Sequence, residues 1–316
     1  MNMNDEVICG YLVTAEQKRK NAVYLDLLAE FARLCKAADV TWWVFFGSLL
    51  GAVRHKGFIP WDDDIDLAVP RKDFDRLMAM TNEEFGAKAP YFLQNPVNDP
   101  ACVEVLLRFR RSDTAFIVNW NWREILQQPE GCPYDLGMGL TIFPLDELPR
   151  GNVLPALQCR AAGFMVNILY RAYAPAGQGR ELRRHIAHGL ARLTGRLGLS
   201  RLCSFPYRMV RKNCSGKVQI LSGRVIDYDS NTVQETVYDA ADFARTVYVP
   251  FEGVEVPIPA GYDHILRSTY GNYMEFPPEG HRQPLHDAVA DPGTPYPVVV
   301  QRMRAGEIPL PDCWEI

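Results

Sequence analysis

Residues Phe45–Asp66, FFGSLLGAVRHKGFIPWDDDID, constrain the fold more than any other stretch: a Gly-Ser turn stands about sixteen residues ahead of a carboxylate cluster. Metal-assisted phosphoryl transfer needs that pairing. Backbone N–H groups and a small hydroxyl hold a phosphate at a helix start, and fixed carboxylates hold a divalent cation nearby. Gly47 and Ser48 offer the first part, Asp64 and Asp66 the second. Trp42–Phe46 is a short bulky apolar run ended by glycine, which predicts a buried strand, and Leu49–Val53 then begins a helix. Asp64–Val69 predicts the next strand. Its period of two puts Asp64 and Asp66 on one face and Ile65 and Leu67 on the other. With Asp62 and Asp63 beside them, these acids repel one another unless a cation intervenes, and Mg2+ or Mn2+ suits such oxygen ligands. An Asp-rich tract alone is ordinarily a solvated loop, but here the acids interrupt an apolar strand.

The same stretch, GSLLGAVRHKGFIPWDDDIDLAVPR, resembles the signature of the LicD family, phosphotransferases on the nucleotidyltransferase fold that include bacterial phosphocholine transferases and are related to the fukutin group. Three later blocks, Tyr91–Pro100, Ile142–Pro149 and Phe251–His286, resemble later parts of the family in the same order. The resemblance implies an α/β (α+β) fold, a nucleotidyltransferase-like mixed sheet core flanked by helices. Carried over by position, Gly47 and Ser48 contact the donor phosphates, Asp64 and Asp66 hold the metal, and Arg282 reaches the donor, with His286 as a further candidate beside His281. One departure stands out. Where the family reads Ile-Asp-Ile-Phe-Pro-Leu-Asp, this chain has Leu140-Thr141-Ile142-Phe143-Pro144-Leu145-Asp146, so a third carboxylate is replaced by Thr141. A threonine hydroxyl cannot act as a base near neutral pH. Asp135, Asp146 and Glu104 are candidate substitutes, and an inactive domain that still binds nucleotide is the alternative.

Arg54, His55 and Lys56 lie between the turn and the acids, where cations could neutralise a diphosphate or simply be solvated. Quaternary ammonium groups are held by ring faces, so Trp61, Trp120, Trp122, Tyr134, Tyr91, Tyr270 and Tyr273 are candidates for a choline-sized box, although most aromatics serve as core. The resulting expectation is a donor such as CDP-choline or another CDP-alcohol and a glycan or lipid-linked glycan acceptor, such as a lipopolysaccharide or teichoic acid precursor. Nucleotidyl transfer from an NTP to a small hydroxyl compound is the competing enzyme reading.

At 316 residues and 47% hydrophobic, the chain can bury a substantial core. The N-terminal segment carries Asp5 and Glu6 and no long apolar run, so neither a secretory signal nor a membrane span is expected and the protein reads as cytoplasmic. Eight cysteines without a C-x-x-C pair read as reduced packing residues. Thr14–Asp39 predicts an amphipathic helix with Val23, Leu27, Leu28, Phe31 and Leu34 on one side. Arg71–Phe85 predicts another helix, and Val103–Arg110 and Ala115–Asn119 predict strands. The Pro/Gly-rich stretch at Pro149–Gly151 is the best boundary, giving a catalytic core over 1–150, a basic helical insertion over 151–220, and a part over 221–316 that completes the domain. Between Arg160 and Lys217 twelve Lys/Arg face one acid, Glu181, a net of +11; with the whole chain at −4, the remainder carries −15. Leu182, Ile186, Leu190, Leu193 and Leu197 form an apolar stripe among the arginines. Such a helix packs with a solvated basic face, docks peripherally on an anionic membrane at the inner face of the cell, or meets a phosphate-bearing acceptor. Nucleic acid does not fit the negative overall charge.

Overall fold

A computed structural model describes residues 3–95, 97–99, 106–126, 134–149, 214–220, 237–284, 286, 288–311 and 314. The basic stretch up to residue 213, with its Leu182–Leu197 stripe, Glu104 and the beginning of the Val103–Arg110 strand lie outside these residues; Lys217, its last cation, is described and pairs with Asp239 at 2.6 Å.

The chain opens with a hairpin, β1 (Glu6–Ile8) and β2 (Tyr11–Val13), and then the long helix α1 (Ala15–Ala38). Thr14 caps α1 by accepting the Gln17 N–H at 3.1 Å, and Asp39 ends it in the left-handed conformation, φ 51. Both ends fall within a residue of the expected ones, because cap chemistry is local. Strand β3 (Trp43–Phe45), helix α2 (Phe46–Arg54) and strand β4 (Asp66–Pro70) follow. The expected single helix over Arg71–Phe85 is two, α3 (Arg71–Ala79) and α4 (Asn82–Phe85). Thr81 breaks it: its hydroxyl accepts the Glu84 N–H while the Glu84 carboxylate accepts the Thr81 N–H, a capping box legible as Thr-x-x-Glu.

Strands β5 (Tyr91–Gln94), β6 (Leu107–Arg111) and β7 (Ala115–Val118), helix α5 (Asn119–Leu126), and strands β8 (Met138–Pro149), β9 (Cys214–Ile220) and β10 (Val237–Asp239) complete the first two-thirds. After them come the hairpin β11 (Thr246–Phe251) and β12 (Val254–Pro259), helix α6 (Tyr262–Tyr270), strand β13 (Ala288–Asp291) and helix α7 (Tyr296–Arg304). The expected α+β architecture is present: a mixed seven-stranded sheet flanked by helices. Strand β8 is its spine. One edge runs parallel to β4, Asp66 opposite Thr141; the other runs antiparallel to β6, with Arg108 opposite Thr141, and further along to β9. Strand β3 borders β4, with Phe45 opposite Asp66.

The main core is aromatic-rich. Leu27, Phe31 and Leu34 of α1 meet Phe109, Ile142 and Leu93 of the sheet, all 2% exposed or less. Fully burying one such side chain contributes about 1.5–3 kcal/mol, so this layer fixes how α1 sits on the sheet. A second, smaller core joins β7 and α5 to α7 through Ile117, Trp122, Ile125, Val299 and Met303. Strand β13 pairs with β7 in a separate two-stranded sheet, and the segment containing His286 leads into it. No helix among the described residues is long and apolar enough to cross a membrane.

Candidate active site

The strand–turn–helix at residues 43–54 is tighter than expected. Helix α2 begins at Phe46 rather than near Leu49, so Gly47 and Ser48 form its first turn. Phe46 makes the corner in the left-handed region, φ 45, at a cost of about 1–2 kcal/mol for a residue with a Cβ. Ring contacts hold it there, with centroids 5.0 Å from Phe45 and 5.3 Å from Phe143. Gly47 is needed because a Cβ would stand 2.6 Å from Asp62 Oδ2: the acidic loop lies directly on the turn. Ser48 is buried, and its Oγ accepts the Asp66 N–H at 3.0 Å, stitching the helix start to the acid-bearing strand.

Strand β4 begins at Asp66, two residues later than expected, so Asp64 reaches the cluster from the preceding loop. That loop is held on three sides. Gln17 of α1 donates to the Asp62 carbonyl at 3.1 Å, and the Asp62 N–H donates to the Ile59 carbonyl at 2.9 Å. His286 donates its backbone N–H to Asp63 Oδ2 at 3.0 Å, while its Nδ1 stands 3.2 Å from Asp63 Oδ1 and 3.8 Å from Asp64 Oδ2. Asp63, Asp64 and His286 each present a ligand atom within 4.8 Å of the others.

Burial and mutual repulsion dominate the electrostatics. Burial, reinforced by the Asp63 and Asp64 charges, pushes the Asp62 carboxyl well up, and burial with Asp64 and Asp62 does the same to Asp66. Asp64 rises to about 6, from burial first and Asp63 second. His286 moves up as well, because its hydrogen bond to Asp63 favours the imidazolium. Arg108 is a further cation whose field favours the charged forms of Asp64 and Asp66.

Arg108 was not foreseen. Thr141, 6% exposed, lies beside Asp66 on the neighbouring strand, and its hydroxyl accepts from Arg108 Nη1 at 3.0 Å. Two candidate stand-ins for an acid at that position are committed elsewhere. Asp146 lies five residues along β8, roughly 16 Å away at a strand's rise, and its carboxylate accepts two bonds from Arg71 at 2.6 and 2.7 Å. Asp135 caps its own turn by accepting the Gly137 N–H. Basic residues tend to sit on strands for many reasons, so nothing short of the register singles out Arg108.

The expected donor-binding cations gather around rings instead. Arg54 donates to the Tyr273 and Glu275 carbonyls at 2.7 and 3.1 Å and lies over Phe276 at 5.0 Å. Arg282 donates to the Pro277 carbonyl at 2.8 Å and lies 5.6 Å above Trp61 and 5.7 Å from Phe276. His55 stacks on Phe276 at 5.5 Å, and burial pushes its imidazole down to about 4. Lys56 is exposed. Of the box aromatics with described side chains, Trp61 joins this group, edge-on to His55, Phe276 and Tyr11. Trp122 is in the second core, Tyr134 accepts from Asn121, Tyr91 donates to Asp26, Tyr273 donates to Asp263, and Tyr270 is exposed. The side chain of Trp120 lies outside the described residues.

Carboxylates clustered at the start of a strand that pairs in parallel with β8, entered through a strand–Gly-Ser–helix corner, are the layout of a nucleotidyltransferase-like domain. Residues 39–117 match the family described as LicD/FKTN/FKRP, nucleotidyltransferase domain, and the chain carries a LicD-family domain there. It is 24% identical over 272 residues, 85% of this chain and 95% of the relative, to the lipopolysaccharide cholinephosphotransferase LicD of Haemophilus influenzae. Over 67 residues, 20% of this chain and 14% of the relative, it is 40% identical to the ribitol 5-phosphate transferase FKRP of Homo sapiens. It is also 32% identical over 156 residues to the uncharacterized protein RT0683 of Rickettsia typhi, 46% of whose length is spanned.

Proposed function

We propose that the protein transfers a substituted phosphate, phosphocholine from CDP-choline in the first instance, to a hydroxyl of a cell-surface glycan or its lipid-linked precursor. The observation that carries this reading is the cluster of Asp62, Asp63, Asp64 and Asp66 folded onto the Gly47–Ser48 turn, in a chain similar over most of its length to a cholinephosphotransferase. Four carboxylates and one imidazole are an oxygen-rich donor set, which suits Mg2+ or Mn2+ better than thiolate-seeking metals. Asp64 and Asp66 would hold the ion, and Asp63 and His286 each present a ligand atom within 4.8 Å of one on Asp64. When bound, the ion neutralises the diphosphate charge that builds up as the phosphoryl group transfers.

The chain's own residues do the rest. Gly47 lets the acidic loop close onto the helix start, where Gly47 and Ser48 present N–H groups to the donor phosphates. The acceptor oxygen forms a new bond to the phosphorus bearing the alcohol, and the bond from that phosphorus to the CMP oxygen breaks. Since Thr141 cannot serve as a base near neutral pH, the hydroxyl proton falls to the Asp62–Asp66 cluster. The 151–220 segment, between a 1–150 core and a 221–316 completing part, meets the acceptor or an anionic membrane; salt-sensitive sedimentation with anionic vesicles tests the membrane contact.

The decisive experiment is CMP release from CDP-choline in the presence of Mg2+ and a glycan acceptor. Asp64→Asn should lose CMP release while keeping at least the wild-type melting temperature in the absence of metal; undiminished release overturns the assignment. Pyrophosphate released from an NTP instead would establish nucleotidyl transfer.

A further inference from the structure

The row of residues across the sheet points to a role for Arg108 that rests on the phosphotransfer reading above. Asp66, Thr141 and Arg108 stand opposite one another on three successive strands. Directly paired residues project from the same sheet face, and neighbouring strands lie about 4.8 Å apart, so the Asp66 and Arg108 backbones are roughly 10 Å apart with only Thr141 between. An arginine side chain spans most of that distance. The Thr141 hydroxyl receives Arg108 Nη1 at 3.0 Å, which steadies the guanidinium on the acid-bearing face. Next along the strand, Arg110 points to the same face but is buried and donates to Gln94 and to the Gly137 carbonyl. Arg108 is only partly buried.

We propose that Arg108 is a catalytic residue, one whose guanidinium contacts the phosphoryl group being transferred and stabilises its charge from the side opposite Asp64 and Asp66. A planar, permanently charged fork suits a phosphoryl group whose charge is spread over three oxygens. Thr141 then has a positioning role: a small neutral hydroxyl that accepts from the guanidinium and orients it.

The test uses CDP and CMP as probes, because they differ by the phosphoryl group that Arg108 is assigned to touch. With saturating Mn2+, the wild type should prefer CDP over CMP at least about tenfold in titration calorimetry. Arg108→Gln should cut that preference several-fold while leaving CMP affinity, and Mn2+ affinity measured by electron paramagnetic resonance, within about twofold or tighter. Arg108→Lys keeps the charge without the fork, should fold if the glutamine variant does not, and should give an intermediate preference. An unchanged CDP-to-CMP ratio in either folded variant overturns the proposal, as does equal weakening of CDP, CMP and Mn2+, the mark of a structural role. A wild type that binds neither Mn2+ nor CDP removes the phosphotransfer reading as well, which separates that failure from one confined to Arg108.

Discussion

Trp61 and Asp62 are adjacent in the chain yet belong to two clusters with opposite electrostatic character. Around Trp61, charge is answered from within: Arg54 and Arg282 donate to backbone carbonyls and lie over rings. From Asp62 onward, carboxylates crowd together, and burial holds three of them above their ordinary range. A region that satisfies its own charges is a wall; one that does not is where a ligand has the most to contribute. Asp146, 1% exposed, is also pushed up by burial, but it meets a bidentate arginine 2.6 Å away that pulls the other way.

The sharpest way to break this contrast is Asp66→Asn. Transfer should fall about a hundredfold or more as a metal ligand is lost, while the metal-free protein unfolds in urea at an equal or higher midpoint, because a repulsive charge has gone. A lower midpoint would mean that the carboxylate stabilises the fold and that the cluster is not under electrostatic strain.

Next in size is the response to metal. Mg2+ at a hundredfold excess over its dissociation constant should add about 2.7 kcal/mol, read as a higher melting temperature, and Asp64→Asn should blunt the gain. The pH dependence follows from the sign of the Asp64 shift. Its folded value, about 6, lies above its ordinary 3.8, so the native state holds the extra proton. Without metal, stability should therefore fall as pH rises from about 4 to 6, and saturating Mg2+ should flatten the slope; a rise over that window would contradict the shift. The His286 bond to Asp63 runs in the same sense, present below the ordinary 6.5 and weakening as pH climbs past the raised folded value.

Smaller effects belong to the wall. Arg54→Ala leaves the Tyr273 and Glu275 carbonyls without a charged donor and should cost about 1–3 kcal/mol in urea unfolding. Phe276→Ala removes one ring from a partly exposed stack and should cost about 1 kcal/mol. If Phe276→Ala proved the costlier of the two, ring packing rather than the arginine would be what holds that segment.

Much of the frame was legible. Helix α1 was bounded within a residue, since periodicity and caps are written locally, and the β3–α2–β4 succession follows from an apolar run, a glycine and a second apolar run. The split of α3 from α4 carried a signal, Thr81-x-x-Glu84, that a continuous helical reading passed over. Asp146 read as a spare acid because Arg71, seventy-five positions away, is its partner only once α3 packs on β8. Arg54 and Arg282, expected at the donor phosphates, sit beside rings, Arg54 on carbonyls of a distant segment and Arg282 on that of Pro277, five residues back.

By itself, then, the sequence determined the acid cluster, the glycine that admits it and the threonine on β8, because residue type and spacing along one strand or turn are properties of short range. Only the tertiary structure decided which charges face one another. Strand register set Asp66, Thr141 and Arg108 in one row, and β13 pairing with β7 brought His286 to Asp63 across more than two hundred residues. Coulomb interactions depend on distance in space, and nothing in a linear spacing fixes that distance until the sheet is closed.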